Sequence, residues 1–170
     1  MKTLVVYYSL EGNTEYVANK IAAATGADLL RLVPKKAYRN KGLAKFVWGG
    51  KSAVMGERPA LEPYDVDLAS YDRIVLGFPV WAGTFTPPLR TFVADHKDEL
   101  KGRRVSAYAC QSGSGAEKAL AKLCDFAGLD AFEREAILID PKEKTSPETD
   151  AKIDAFCDKL REGIGGGGAW

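Results

Sequence analysis

The sequence predicts a doubly wound α/β domain, a five-stranded parallel sheet with helices on both faces. Three observations carry that prediction. Short, β-rich apolar runs alternate with longer segments whose apolar residues recur at helical spacing. The short runs are continuously apolar rather than alternating, as expected of strands covered on both faces. Glycines follow several of the helical stripes directly, where a left-handed residue closes a helix. At 170 residues the chain suits one domain with one sizeable core. We assign that domain to residues 1–163 and leave residues 164–170 as a flexible tail.

Leu4 to Tyr8 is the first strand. Asn13 to Thr25 follows as a helix, with Val17, Ile21 and Ala24 on one stripe and Gly26 at its end. Ala27 to Leu32 is the second strand. Arg73 to Gly77 is the third, introduced by Tyr71 and Asp72. Pro87 to Leu100 is helical, with Leu89, Phe92 and Val93 on one face and Gly102 closing it. Val105 to Cys110 makes a fourth strand, Ala116 to Ala127 a helix ended by Gly128, and Phe132 to Ile139 a fifth strand. Ser146 to Arg161 is the last helix, with Ile153, Phe156 and Leu160 at helical spacing. The Pro34–Pro63 connection is long and carries Phe46, Trp48, Gly49, Gly50 and basic residues, with a short helix expected near Leu43 to Val47. Connections of this length are commonly functional. Gly163 to Trp170 is glycine-rich and is expected to be flexible.

Hydrophobic residues make up 46% of the chain and charged residues 28%, an ordinary globular balance. No apolar stretch is long enough to span a bilayer, and the first apolar run is too short for a signal peptide. A cytoplasmic protein is the expectation. The net charge is +1 and the basic residues are scattered, so no nucleic-acid footprint is expected. Lys35 to Lys45 is locally basic, either a solvated face or a surface for an anionic partner. Cys110, Cys124 and Cys157 follow no metal or redox spacing, and disulfides are not expected. Cys124 and Cys157 are expected to be small buried hydrophobes, and the single histidine, His96, a surface residue.

The ligand crevice of such a sheet lies at the carboxyl ends of its strands, where the strand order reverses. The first loop there is Ser9-Leu10-Glu11-Gly12-Asn13-Thr14. It opens a helix, whose unpaired N–H groups and positive dipole end attract a phosphate. Ser9 and Thr14 add hydroxyl donors, Asn13 an amide, and Gly12 admits close backbone approach. There is neither a Gly-Lys-Ser/Thr P-loop nor a G-x-G-x-x-G fingerprint, and no lysine or arginine stands within the loop. A phosphate held by neutral donors fits this composition, as does an ordinary helix N-cap cluster.

Val5, Val6, Tyr7, Ser9, Gly12, Thr14, Ala18 and Ile21 match the amino-terminal signature of the flavodoxin family, which the chain resembles in element order from Lys2 to Leu160. The resemblance implies a flavodoxin-like sheet of order 2-1-3-4-5 with FMN at the switch between strands one and three. It implies that Ser9, Leu10, Glu11, Gly12, Asn13 and Thr14 wrap the FMN phosphate, Glu11 through backbone only. Pro79-Val80-Trp81-Ala82-Gly83 matches the family's second flavin loop, with Trp81 stacked on the isoalloxazine. An aromatic plugging the sheet end is the other reading of Trp81. Cys110-Gln111-Ser112-Gly113 matches the third loop, whose backbone N–H groups and Gln111 would reach the pyrimidine edge; a plain Gly/Ser turn remains the alternative.

The chain also departs from the family. It is nearly neutral where flavodoxins are strongly acidic, so no large negative field steers a partner. Ala82 stands where a glycine is common, and a positive φ there costs roughly 1 kcal/mol, which opposes the backbone flip the family makes on reduction. The third loop lacks a covering aromatic, which leaves the outer flavin face open or covered by Trp48 or Tyr38. The resemblance therefore implies an FMN electron carrier with a redox partner protein or a small-molecule acceptor, without membrane or nucleic acid, and with a homodimer possible through the long connection. An FMN-dependent NAD(P)H:quinone or flavin oxidoreductase is the alternative, and no side chain stands out as a catalytic acid or base.

Overall fold

The computed structural model describes residues 1–38 and 49–162. The helix expected near Leu43–Val47, Trp48 and the Gly163–Trp170 tail lie outside the described residues. In chain order the elements are β1 (Thr3–Tyr7), α1 (Asn13–Thr25), β2 (Asp28–Arg31), α2 (Gly50–Val54), β3 (Arg73–Pro79) and α3 (Pro87–Asp95). They continue as α4 (Lys97–Lys101), β4 (Arg104–Gln111), α5 (Ala116–Ala127), β5 (Glu135–Ile139) and α6 (Pro147–Glu162). All five strands are parallel, in the order β2-β1-β3-β4-β5.

Successive strand residues point to opposite faces, and each face has its own core. Leu4 and Val6 of β1 join Ile74, Leu76, Leu89, Phe92, Leu120 and Leu123 under α3, α4 and α5. Val5 and Tyr7 of the same strand join Val17, Ile21, Val75, Ile153, Phe156 and Leu160 under α1 and α6. Burial on both sides is why the central strands read as unbroken apolar runs.

At the amino ends of the strands, Arg73 is 1% exposed. Its guanidinium forms a two-point ion pair with Glu133, at 2.7 and 3.0 Å, and donates to the Leu160 carbonyl at the end of α6. Arg104 pairs with the same carboxylate. A charge buried this deeply requires such satisfaction.

Several boundaries differ from the sequence reading. The helix expected over Pro87–Leu100 is two, because the backbone of His96 leaves the helical region at φ −116° and ψ 17°. His96 is half-buried rather than a surface residue: its Nε2 meets the Tyr64 hydroxyl at 2.9 Å and its Nδ1 meets Glu99 at 2.8 Å. β5 begins at Glu135 rather than Phe132; Phe132 is buried in the core ahead of the strand. Cys157 is buried as expected, whereas Cys124 is only partly so.

Candidate functional site

The carboxyl ends of β1, β3 and β4 open into a cleft of about 290 Å³. From the first loop Ser9, Leu10, Glu11, Asn13 and Thr14 line it; from the second, Pro79, Val80, Trp81 and Ala82; from the third, Cys110, Gln111 and Ser112. Gly12, Gly83 and Gly113 belong to the same loops but do not line the cleft. Gly50 and Asp140 line it too, and the sequence reading singled out neither for the site.

The first loop is held from several sides. The Gly12 N–H donates to Ser9 Oγ at 3.2 Å, and Gly12 itself lies at φ 101°, a conformation that favours glycine. Arg31 donates to the Ser9 carbonyl at 3.3 Å while pairing with Glu15 at 2.8 Å. Below, the Tyr108 hydroxyl donates to the Thr14 carbonyl at 2.9 Å. Tyr108 fits only because residue 77 is glycine, since a Cβ there would lie 2.2 Å from the Tyr108 ring. Ser9 is 4% exposed and Thr14 1%. The Thr14 hydroxyl is buried with no conventional hydrogen-bond partner, beside the Cys110 thiol. Buried polar atoms are rarely left this way, and this one stands at the positive end of α1.

The second loop is a two-residue hairpin. Trp81 and Thr84 exchange backbone hydrogen bonds of 3.1 and 3.0 Å. The favoured turns of this length put their first central residue at positive φ, and one of them the second as well; here Ala82 lies at 49° and Gly83 at 70°. Ala82 therefore already stands at positive φ, imposed by the hairpin at the cost a non-glycine residue bears there. Trp81 packs edge-on against Tyr8 (centroids 5.6 Å) and Tyr38 (5.1 Å), and Gly49 lies against its six-membered ring. Tyr38 thus buttresses Trp81 and does not line the cleft.

In the third loop the Gln111 side-chain oxygen accepts from the Ala116 N–H at 2.9 Å, capping α5. Burial pushes the Cys110 thiol up to about 12, with an opposing pull from the Thr14 hydroxyl, so it stays protonated at neutral pH. A fourth connection follows β5. Asp140, 6% exposed and at φ 40°, accepts from Ser112 Oγ at 2.8 Å and pairs with Lys144 at 2.9 Å. The Lys142 N–H donates to Asn13 Oδ1 at 2.9 Å, and the Lys142 ammonium reaches over the first loop, 2.8 Å from where a Gly12 Cβ would stand. The first loop holds no cation of its own, but the fold supplies one from 129 residues away.

The model of one family, described as flavodoxin, matches residues 2–154. The chain belongs to the flavodoxin family. The sheet order agrees, and so does the position of the cleft at the switch between β1 and β3. Among solved structures, a Lactobacillus acidophilus flavoprotein crystallised with FMN is similar at TM-score 0.71 and 21% identity, over 91% of this chain and 97% of that one. The solution structure of two-electron-reduced Megasphaera elsdenii flavodoxin is similar at TM-score 0.59 and 20% identity, over 92% and 99% of the respective chains. A Streptococcus pneumoniae flavodoxin gives TM-score 0.59 and 14% identity, over 96% and 99%. Likeness at these identities speaks to the flavodoxin fold. Among the described residues, no helix is long and apolar enough to cross a membrane and no cluster of His, Cys, Asp and Glu could hold a metal ion.

Proposed function

We propose that the cleft holds one FMN non-covalently and that the protein is an electron carrier. The observation that carries the cofactor reading is the Thr14 hydroxyl, buried at the positive end of α1 with no conventional hydrogen-bond partner and only the weak Cys110 thiol beside it. A phosphate oxygen there would complete its hydrogen bonding and meet the helix dipole. The neighbouring groups suit the same ligand. Ser9 keeps its hydroxyl proton to donate while accepting from Gly12. Asn13, with its oxygen held by Lys142, keeps its amide nitrogen as a donor. The L. acidophilus relative crystallised with FMN supports the reading by family likeness.

When bound, FMN supplies electron-transfer chemistry, and the protein sets its orientation and surroundings. Ser9, Asn13, Thr14 and the first-loop N–H groups would hold the phosphate end. Trp81, fixed by Tyr8, Tyr38 and Gly49, would offer its indole as a wall for the ring system. Ser112, which lines the cleft from the third loop, would offer its backbone N–H to the ring edge. Of the titratable groups lining the cleft, Cys110 is held protonated, Asp140 is committed to Ser112 and Lys144, and Glu11 is exposed. Among the described residues that line the cleft, no buried acid or base is free to relay a proton to a bound substrate, which supports a carrier over an oxidoreductase.

The test is reconstitution with FMN, followed by stepwise reduction under visible spectroscopy. A shifted bound-flavin spectrum that passes through a one-electron-reduced form supports the carrier. Rapid NADH or NADPH oxidation by the purified protein alone would replace it with the oxidoreductase. A chain that takes up no FMN would remove the cofactor reading.

A further inference from the structure

The Trp81–Thr84 hairpin borders two concavities. Trp81 and Ala82 line the cleft, whereas Thr84 lines an open groove together with Ala53 and Val54 of α2. α2 spans both as well, since its first residue, Gly50, lines the cleft. The groove is therefore one short helix and one hairpin away from the proposed flavin.

Its charge is one-sided. Arg90, Lys97 and Lys122 line it against a single acid, Asp125. Arg58 adds a fourth cation close enough to oppose the charge of Arg90. Lys118 adds a fifth, its stem lying against Gly83 of the hairpin, 3.8 Å from where a Cβ would stand. Lys118 and Lys122 are four residues apart and share one face of α5. Among the described residues none of these five cations is in an ion pair. Lys20, Lys152 and Arg161, on α1 and α6, are each paired.

The central cation is also immobilised. The Arg90 guanidinium lies 4.3 Å from the Phe85 ring centre and 4.6 Å from that of Phe126, and its buried Nε has no hydrogen-bond partner. An arginine fixed between two rings, among unpaired like charges, is preorganised for an anionic surface. Val54 and Met55 stand exposed at the α2 side. Apolar residues beside charged ones match a protein interface better than a site for a small ion.

We propose that this groove is the docking surface for a redox protein with an acidic surface. The inference rests on the carrier reading and adds to it the face and the sign of the partner. The net charge of +1 conceals the patch, because steering depends on the local field rather than on the sum.

The experiment measures binding of the FMN-loaded protein to three probes, an acidic [2Fe–2S] ferredoxin, the basic cytochrome c and NADPH, at low and at near-physiological salt. The second protein is the Lys118→Glu/Lys122→Glu double variant, whose surface lysines leave the cleft untouched. The expected result is ferredoxin binding that weakens about tenfold or more in the variant and again with salt, while cytochrome c is not preferred by the wild type. The FMN spectrum stays the same in both proteins. Equal ferredoxin affinity in variant and wild type, or no ferredoxin binding at all, overturns the proposal. Loss of NADPH binding in the variant with ferredoxin binding intact also overturns it, by giving the groove to a dinucleotide. If no FMN is taken up, ferredoxin is titrated against the protein as purified, and the carrier reading falls while the charge dependence of docking is still read.

Discussion

Three side chains bear most directly on what the first and second loops can do. Thr14→Val keeps the shape and removes the buried hydroxyl. The unliganded protein should then be as stable as the wild type or slightly more so, and FMN affinity should fall by about tenfold, one hydrogen bond to a charged acceptor. Riboflavin, which lacks the phosphate, should bind both proteins equally, and fluorescence titration with the two flavins reads the difference. Lys142 adds a cation to a helix end that is already positive, an arrangement favourable only with an anion present. Lys142→Met should weaken FMN several-fold, by about 1 kcal/mol, more at low salt than at high, and leave riboflavin unchanged. Ala82 sits at positive φ because the hairpin demands it. Ala82→Gly should stabilise the fold by roughly 0.5–1 kcal/mol in urea titration, since strain relief outweighs the added freedom of the unfolded chain.

At the scale of elements, β1, β3, β4, α1 and α5 were legible to within a residue or two. Their patterns are strong and local, an apolar run for the strands and a stripe closed by glycine for the helices. The break at His96 was not legible, because Tyr64 and Glu99 hold that ring, and neither is implied by the helical stripe. That three loops meet in one cleft was readable because each directly follows a strand. Asp140 and Lys142 were missed because their relevance depends on β5 lying beside β4 and on a bond to Asn13 across the sheet. Nothing in the Pro34–Pro63 connection has a period, so the placement of Tyr38 and Gly49 around Trp81 could not be read from it. The coupling of strands to the site gives a prediction of its own. Gly77→Ala drives a methyl into the Tyr108 ring and should cost about 1–3 kcal/mol by overpacking. It should also loosen the Tyr108 bond to Thr14, so FMN affinity falls together with the denaturation midpoint.

Across the whole molecule the sheet has two specialised ends. The amino ends of the strands are closed by Arg73, Glu133 and Arg104, and the carboxyl ends carry the cleft. Glu133→Ala leaves the Arg73 guanidinium buried without its counter-charge and should cost about 3 kcal/mol or more in urea titration. The folded fraction should still bind FMN with unaltered affinity, because nothing in that cluster reaches the cleft. The hairpin behaves in the opposite way, since it is a wall of both the cleft and the groove. Where an occupant of one site shifts that shared wall, the two sites become thermodynamically linked. By whatever factor filling the cleft changes affinity in the groove, an occupant of the groove must change flavin affinity by the same factor. A partner that prefers the loaded protein would therefore also slow the escape of the flavin, so that the complex guards its own cofactor.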